Sequence, residues 1–293
     1  ITSVMLISLA AAQEAIVSQG DTPLFNSQSF RPAIDSHKFL WVNETELGTQ
    51  SSFNYRTTFS YANSPVVYRD FLGEEIDLLS SLSQIDLSAG YTQGKIRYAL
   101  TAPIVLRAAG DAIGTGNELG LGEAMADLKW QYRERNDEKL GMALNVRTSL
   151  PTSTLESPLG TEGLMFEVES AIDMQLGNNV LVFNLGHRQQ PTVPTEDVTW
   201  GPQLFSRLGY AIPFGEEDRN GVALETNFAG LYSHMSFKEN GISVESMLSG
   251  WFSVKESVQI RAGLSKGLAS GMTTPNWRGV MAVSVLQQTE RDT

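Results

Sequence analysis

Three histidines, His37, His187 and His234, are the first residues to weigh for chemistry in a chain that contains no cysteine. None stands in an HxH or HExxH spacing, the arrangements that bring two imidazoles to one metal ion. The sequence therefore predicts no metal site and no cofactor. His187 lies in "NLGHRQQ" without a neighbouring serine, so a Ser–His hydrolase on the outside of a membrane barrel would lack both nucleophile and orienting partner. The run "GTGNELGLGE" at 114–123 has neither the GxGxxG spacing nor the GK[ST] ending of a phosphate loop. It reads as a flexible outer loop leading into a strand, and the expectation is that the protein is not an enzyme.

The remaining chemistry is charge set in the middle of alternating runs. Arg97, Asp127, Lys129, Arg147, Glu167, Glu169, Asp173, Arg188, Glu225 and Arg261 mostly share the parity opposite to the Leu, Val, Ile and Phe of the same run. The segment "GLMFEVESAIDMQLGNNVLVFNLGHR" at 163–188 shows the pattern in one hairpin. Phe166, Val168, Ile172, Met174 and Leu176 oppose Glu167, Glu169, Asp173 and Gln175, and the alternation resumes after Gly177-Asn178-Asn179. Period two means strands with one apolar and one polar face, joined by a tight turn. A soluble sandwich turns its apolar face to the core, whereas a membrane barrel turns it to lipid and lines its lumen with the polar face. Alternation by itself leaves both open.

The connections separate the two. Twelve runs are predicted as strands: 51–61, 75–91, 95–107, 122–134, 139–150, 163–176, 180–190, 199–213, 221–235, 242–254, 257–267 and 277–287. Every second connection is short, as at 92–94, 136–138, 177–179, 215–220 and 255–256. The others, at 62–74, 108–121, 151–162, 191–198, 236–241 and 268–276, are mostly longer. Such a meander puts the long loops at one end, as membrane barrels do. Aromatic residues near strand ends, Tyr61, Tyr91, Tyr132, Tyr210, Phe214, Tyr232 and Phe252, suit an interfacial girdle. The predicted fold is all-β, a transmembrane up-and-down antiparallel barrel of about twelve strands in the bacterial outer membrane, in contact with its lipid and lipopolysaccharide. The ten charges then line the lumen, where opposite signs on neighbouring strands pair and narrow it.

A net charge of −12, from 33 acidic and 21 basic residues, argues against a nucleic-acid partner, which requires clustered Lys and Arg. Residues 1–12, "ITSVMLISLAAA", read as the remnant of a signal peptide. Residues 13–49 read as a periplasmic lead-in with one short strand near Phe39 to Val42, residues 50–288 as the barrel, and 289–293 as the start of a linker to a further domain.

The stretches "QSFRPAIDSHKFLWV" at 28–42, "FNYRTTFSYANSPVVYRD" at 53–70, "GLGEAMADLKWQY" at 120–132, "MALNVRTSLPTS" at 142–153 and "TTPNWRGVMAVSV" at 273–285 resemble the N-terminal barrel of the larger type of OmpA-family outer-membrane protein. The resemblance spans nearly everything from Gln28 onward. It implies a structural envelope anchor with at most a narrow pore, tied to peptidoglycan through a C-terminal domain absent from this chain. A porin or small-solute channel is the alternative. A scaffold barrel docking partner subunits or lipoproteins in an envelope complex is the third reading.

Overall fold

The computed structural model describes residues 26–288 apart from 27, 34, 48–51, 70–74, 111–113, 136–139, 156–158, 162, 195–198, 216–217, 233–240, 256 and 270. The predicted signal remnant at 1–12, the first part of the lead-in, His234 and the linker start at 289–293 lie outside the described residues.

Alternation generates the wall. The strands are β1 (Ser52–Arg69), β2 (Glu75–Gln93), β3 (Ile96–Gly110), β4 (Gly114–Leu121), β5 (Met125–Arg133), β6 (Gly141–Ser149), β7 (Met165–Leu176) and β8 (Asn179–Gln189), then β9 (Val193–Pro194), β10 (Thr199–Trp200), β11 (Gln203–Phe214), β12 (Asn220–Leu231), β13 (Ile242–Lys255), β14 (Val258–Gly267) and β15 (Trp277–Gln288). Each wall strand pairs antiparallel with its neighbours, and β1 closes the ring on β15 from Ser52↔Gln288 to Asn63↔Trp277. Leaving out β4, β9 and β10, this is a closed twelve-stranded barrel. Closure removes the unpaired edge that hydrocarbon would penalise.

The two faces follow the parity of the sequence. Leu100, Leu224, Leu248, Phe252 and Leu264 project outward and are more than half exposed, while Glu167, Glu169, Asp173, Arg207, Glu225 and Arg261 of the opposite parity are buried. An outer face of Leu, Val and Phe is the surface lipid requires. Aromatic pairs mark both rims: Phe53 against Tyr91 and Trp130 against Tyr132 near the short turns, Tyr61 against Trp277 near the long loops. In the β7–β8 hairpin Leu176 pairs with Asn179 and Gly177 has φ +62°. A glycine with positive φ at the first position of a two-residue turn matches the twist of the flanking strands.

Two sequence expectations change. The glycine-rich run expected as an outer loop contributes β4, which pairs with the upper part of β3 through Ile104↔Leu121 and Val105↔Gly120, with register shifts. β1 runs on to Arg69 beside β2 through an irregularity at Asn63–Val67, where Ser64 takes φ 44°. At this long-loop end, Leu155, Leu159, Val193, Trp200 and Met272 from three connections join Val66, Leu79, Leu82 and Val105 in one apolar cluster.

Candidate functional site: the lumen and its plug

The lead-in expected in the periplasm lies inside the barrel. Asn26 bridges to Leu159 in a long loop, and Gln131 and Asp173, near the short turns, hydrogen-bond Thr45. The described residues between them run through the lumen from one rim to the other. The strand expected near Phe39 to Val42 does not form there: the segment is a series of bends. A β ladder requires a neighbouring backbone, whereas the lumen offers side chains.

The plug folds on itself before it meets the wall. Ala33 N donates to Leu40 O at 2.9 Å, the Ser36 hydroxyl donates to Val42 O at 2.6 Å, and Glu44 Oε2 accepts from His37 N and Lys38 N at 2.7 and 3.1 Å. Its consecutive Phe39, Leu40, Trp41 and Val42 are all buried. Phe39 and Val42 pack with Val180, Val182, Ala211, Ala223 and Trp251, and Leu40 and Trp41 with Phe30, Met247, Val280 and Ala282. Burying a large apolar side chain contributes about 1.5–3 kcal/mol. Phe39 fits because Gly209 faces it, where a Cβ would stand 2.7 Å from the ring.

Polar contacts fix the plug from two sides. Toward β7, β8 and β12 it presents donors, with the Asn43 carbonyl as an acceptor. Glu225 accepts from the backbone N–H groups of Leu40, Trp41 and Val42 at 3.0, 2.7 and 3.0 Å, and from the Ser249 hydroxyl at 2.9 Å. Asn184 makes two bonds to the Asn43 backbone, both 2.9 Å. Asp173 takes the N–H and hydroxyl of Thr45 at 2.9 and 2.7 Å, with Arg135 at 3.2 Å. Toward β1, β3, β5 and β14 the plug presents acceptors. Asp35 meets Lys129 at 2.7 Å and Arg97 at 3.5 Å, Ser36 O accepts from Arg56 at 2.6 Å and from Arg261, and Phe39 O accepts from Arg261 at 3.1 Å.

The rest of the lumen pairs within the wall. Arg147 binds Asp127 at 2.5 Å across β5–β6 and lies 3.8 Å from Glu167. Glu167 accepts from Arg188 at 2.8 and 2.9 Å, with Arg207 at 3.6 Å. Glu169 pairs with Arg207 and accepts from Asn145 and Asn43 at 3.0 and 2.7 Å. The ten charged residues singled out from the sequence thus face inward, but not all pair across the ladder. Arg97 and Lys129 are direct cross-strand neighbours of like sign, and their counter-charge comes from the plug. Sequence reasoning also passed over Arg31, Asp35, Glu44, Arg56 and Arg278. Arg31 donates to Ser149 at 2.7 Å, and Arg278 to Glu245 at 3.0 Å. The available signal for the plug was the unalternating "KFLWV" between charged residues, a run that fits burial on all sides. His187, by contrast, sits on the outer face against Tyr232, ring centroids 5.4 Å apart.

No family model matches the chain, and no curated protein matches it. Solved structures do. An outer membrane channel from Pseudomonas putida F1 superposes with TM-score 0.63 at 12% identity, over 83% of this chain and 97% of the channel. The NanC porin superposes with TM-score 0.51 at 5% identity, over 81% of this chain and 100% of the porin. The chain is a bacterial outer-membrane β-barrel. At these identities the likeness concerns the fold.

Proposed function

We propose that this outer-membrane barrel is a channel for small solutes, closed in this conformation by its own residues 28–47. One observation carries the reading: the wall encloses room for a whole chain segment from rim to rim. Barrels of about eight strands are filled by wall side chains alone, and those of 16 to 18 leave an aqueous passage. Here the filling is a separate segment held by apolar packing, hydrogen bonds and ion pairs and not by a β ladder, so its departure leaves a passage as wide as a polypeptide. Swelling of liposomes carrying the protein tests this. Entry of small sugars or acids, faster in a variant with a loosened plug, is the expected result. Liposomes that swell with neither protein, both shown to be folded, contradict it.

The filled lumen also favours a second reading, a structural barrel that anchors the outer membrane, with peptidoglycan held by a further domain as the OmpA resemblance implies. It expects no solute entry from any folded variant. In either case the apolar outer belt contacts lipid and lipopolysaccharide.

A further inference from the structure

We infer that Arg56, Arg97, Lys129 and Arg261 form a binding track for carboxylate-bearing solutes, and that Asp35 of the plug occupies it as an internal stand-in. The inference rests on the channel reading and names the solute class that channel would take.

The four cations come from β1, β3, β5 and β14 and converge on two adjacent plug residues. Lys129 and Arg97 meet the Asp35 carboxylate at 2.7 and 3.5 Å, and Arg56 and Arg261 both donate to the carbonyl of Ser36. Among the described residues the other hydrogen-bond partners of Arg56 and Arg261 are neutral oxygens, the Phe39 carbonyl and the Ser284 hydroxyl. Among the described residues Asp35 is the one carboxylate in ion-pair contact with this group, while Glu44 of the plug and Asp127 and Glu225 of the wall act on it from further off. The donor capacity of the group is not exhausted either. Among the described residues Arg56 Nη1, Arg97 Nε and Nη2, and Arg261 Nε are buried without a hydrogen-bond partner, a feature shared by Arg147 Nη1 and Arg207 Nε, and the first three residues are at most 3% exposed.

The cations elsewhere on the wall behave differently. Arg147, Arg188, Arg207 and Arg278 are bound to Asp127, Glu167, Glu169 and Glu245, all wall carboxylates. Moving the plug aside leaves those pairs intact, whereas the four-cation group loses the carboxylate in contact with it and keeps only Asp127 and Glu225 of the wall at longer range. A buried charge stripped of its partner is strongly unfavourable, so this part of the wall would draw an anion from solution. Guanidinium groups present a planar fork that matches a carboxylate, and a carboxylate is what the plug supplies there. A small cavity adjoins Arg97 and Lys129, lined also by Arg147 and by the carboxylates of Asp35, Asp127, Glu167 and Glu169.

The test is calorimetric titration of succinate, with neutral erythritol as control, into the full chain in a zwitterionic detergent. In the closed protein Asp35 competes with the added acid. Asp35→Asn is expected to bind succinate about tenfold more tightly than wild type, the effect of one charge-assisted contact. Adding Arg56→Gln and Arg97→Gln to that variant is expected to abolish the gain, and erythritol to bind neither. Equal binding by wild type and Asp35→Asn, a gain that survives loss of the arginines, or equal binding of erythritol would each overturn the inference. Heat-dependent migration of each variant verifies folding. Should Asp35→Asn fail it, Glu225→Gln, which frees the plug from the opposite wall and leaves the track intact, takes its place with the same outcomes. The titration needs no conduction, so a bilayer without currents would count against the channel reading while the track is judged by binding.

Discussion

Arg97 and Lys129 face each other directly across β3 and β5, and the Asp35 carboxylate binds both. Like charges at directly opposed positions destabilise a sheet, so the wall at this point is complete only with the plug in place. Removing the shared carboxylate leaves two buried cations unpaired, a loss of roughly 3–5 kcal/mol in comparable sites. Asp35→Asn is therefore expected to loosen residues 28–47 without opening the strand ladder. Amide exchange would show lost protection at Leu40 to Thr45 and unchanged protection in β7 and β12. Full protection of the plug in the variant would mean that the ion pairs do not hold it.

Glu225 acts from the other side of the lumen. A carboxylate has two acceptor oxygens, an amide has one, and three backbone N–H groups depend on Glu225. Leaving one buried donor without a partner costs about 1–3 kcal/mol. Glu225→Gln is expected to release the Leu40 to Val42 segment while the barrel keeps its heat-dependent migration. Unchanged exchange at those three amides would show that their bonds are dispensable.

The seat of Phe39 gives a steric version of the same experiment. Any side chain at Gly209 enters the space of the Phe39 ring, and overpacking of this kind costs about 1–3 kcal/mol. Gly209→Val is expected to push the plug outward and to make the peptide bond after Lys38, now protected inside the lumen, a trypsin site. Resistance at Lys38 in a folded Gly209→Val protein would contradict the packing described.

The outer face is tested at Leu248 and Leu264, which pair across β13 and β14 and are 64% and 67% exposed. A cation replacing a lipid-facing residue near the bilayer midplane costs about 2–4 kcal/mol. Leu248→Arg is expected to lower the stability of the barrel in phospholipid vesicles by that amount in a urea titration. A change of a few tenths would place Leu248 away from lipid.

Much of the wall was legible because one physical constraint, apolar outside and polar inside, repeats every second residue through β7, β8, β11 and β12. Phe183 and Leu185 against Asn184 is the pattern in miniature. The constraint weakens where strands leave the membrane. Gly114, Gly116 and Gly120 gave β4 no alternation to read, and only pairing with β3 makes it a strand. The tail of β1 beyond Asn63 passes through a bulge, which scrambles parity. The plug was illegible for a different reason. Its partners, Glu225, Asn184 and Asp173, lie more than 120 positions away in the chain, and a buried segment without strand or helix has no period. Charges on the wall were visible as a set, but the missing counter-charge for Arg97 and Lys129 was not, since Asp35 sits in a segment whose local pattern assigned it to the periplasm.

The most direct measurement is single-channel conductance of wild type and Glu225→Gln, both folded, in planar bilayers. Rare or small openings in wild type and frequent, larger ones in Glu225→Gln are expected of a channel closed by residues 28–47. Silence from both proteins would contradict it and leave a barrel whose filled lumen serves structure alone.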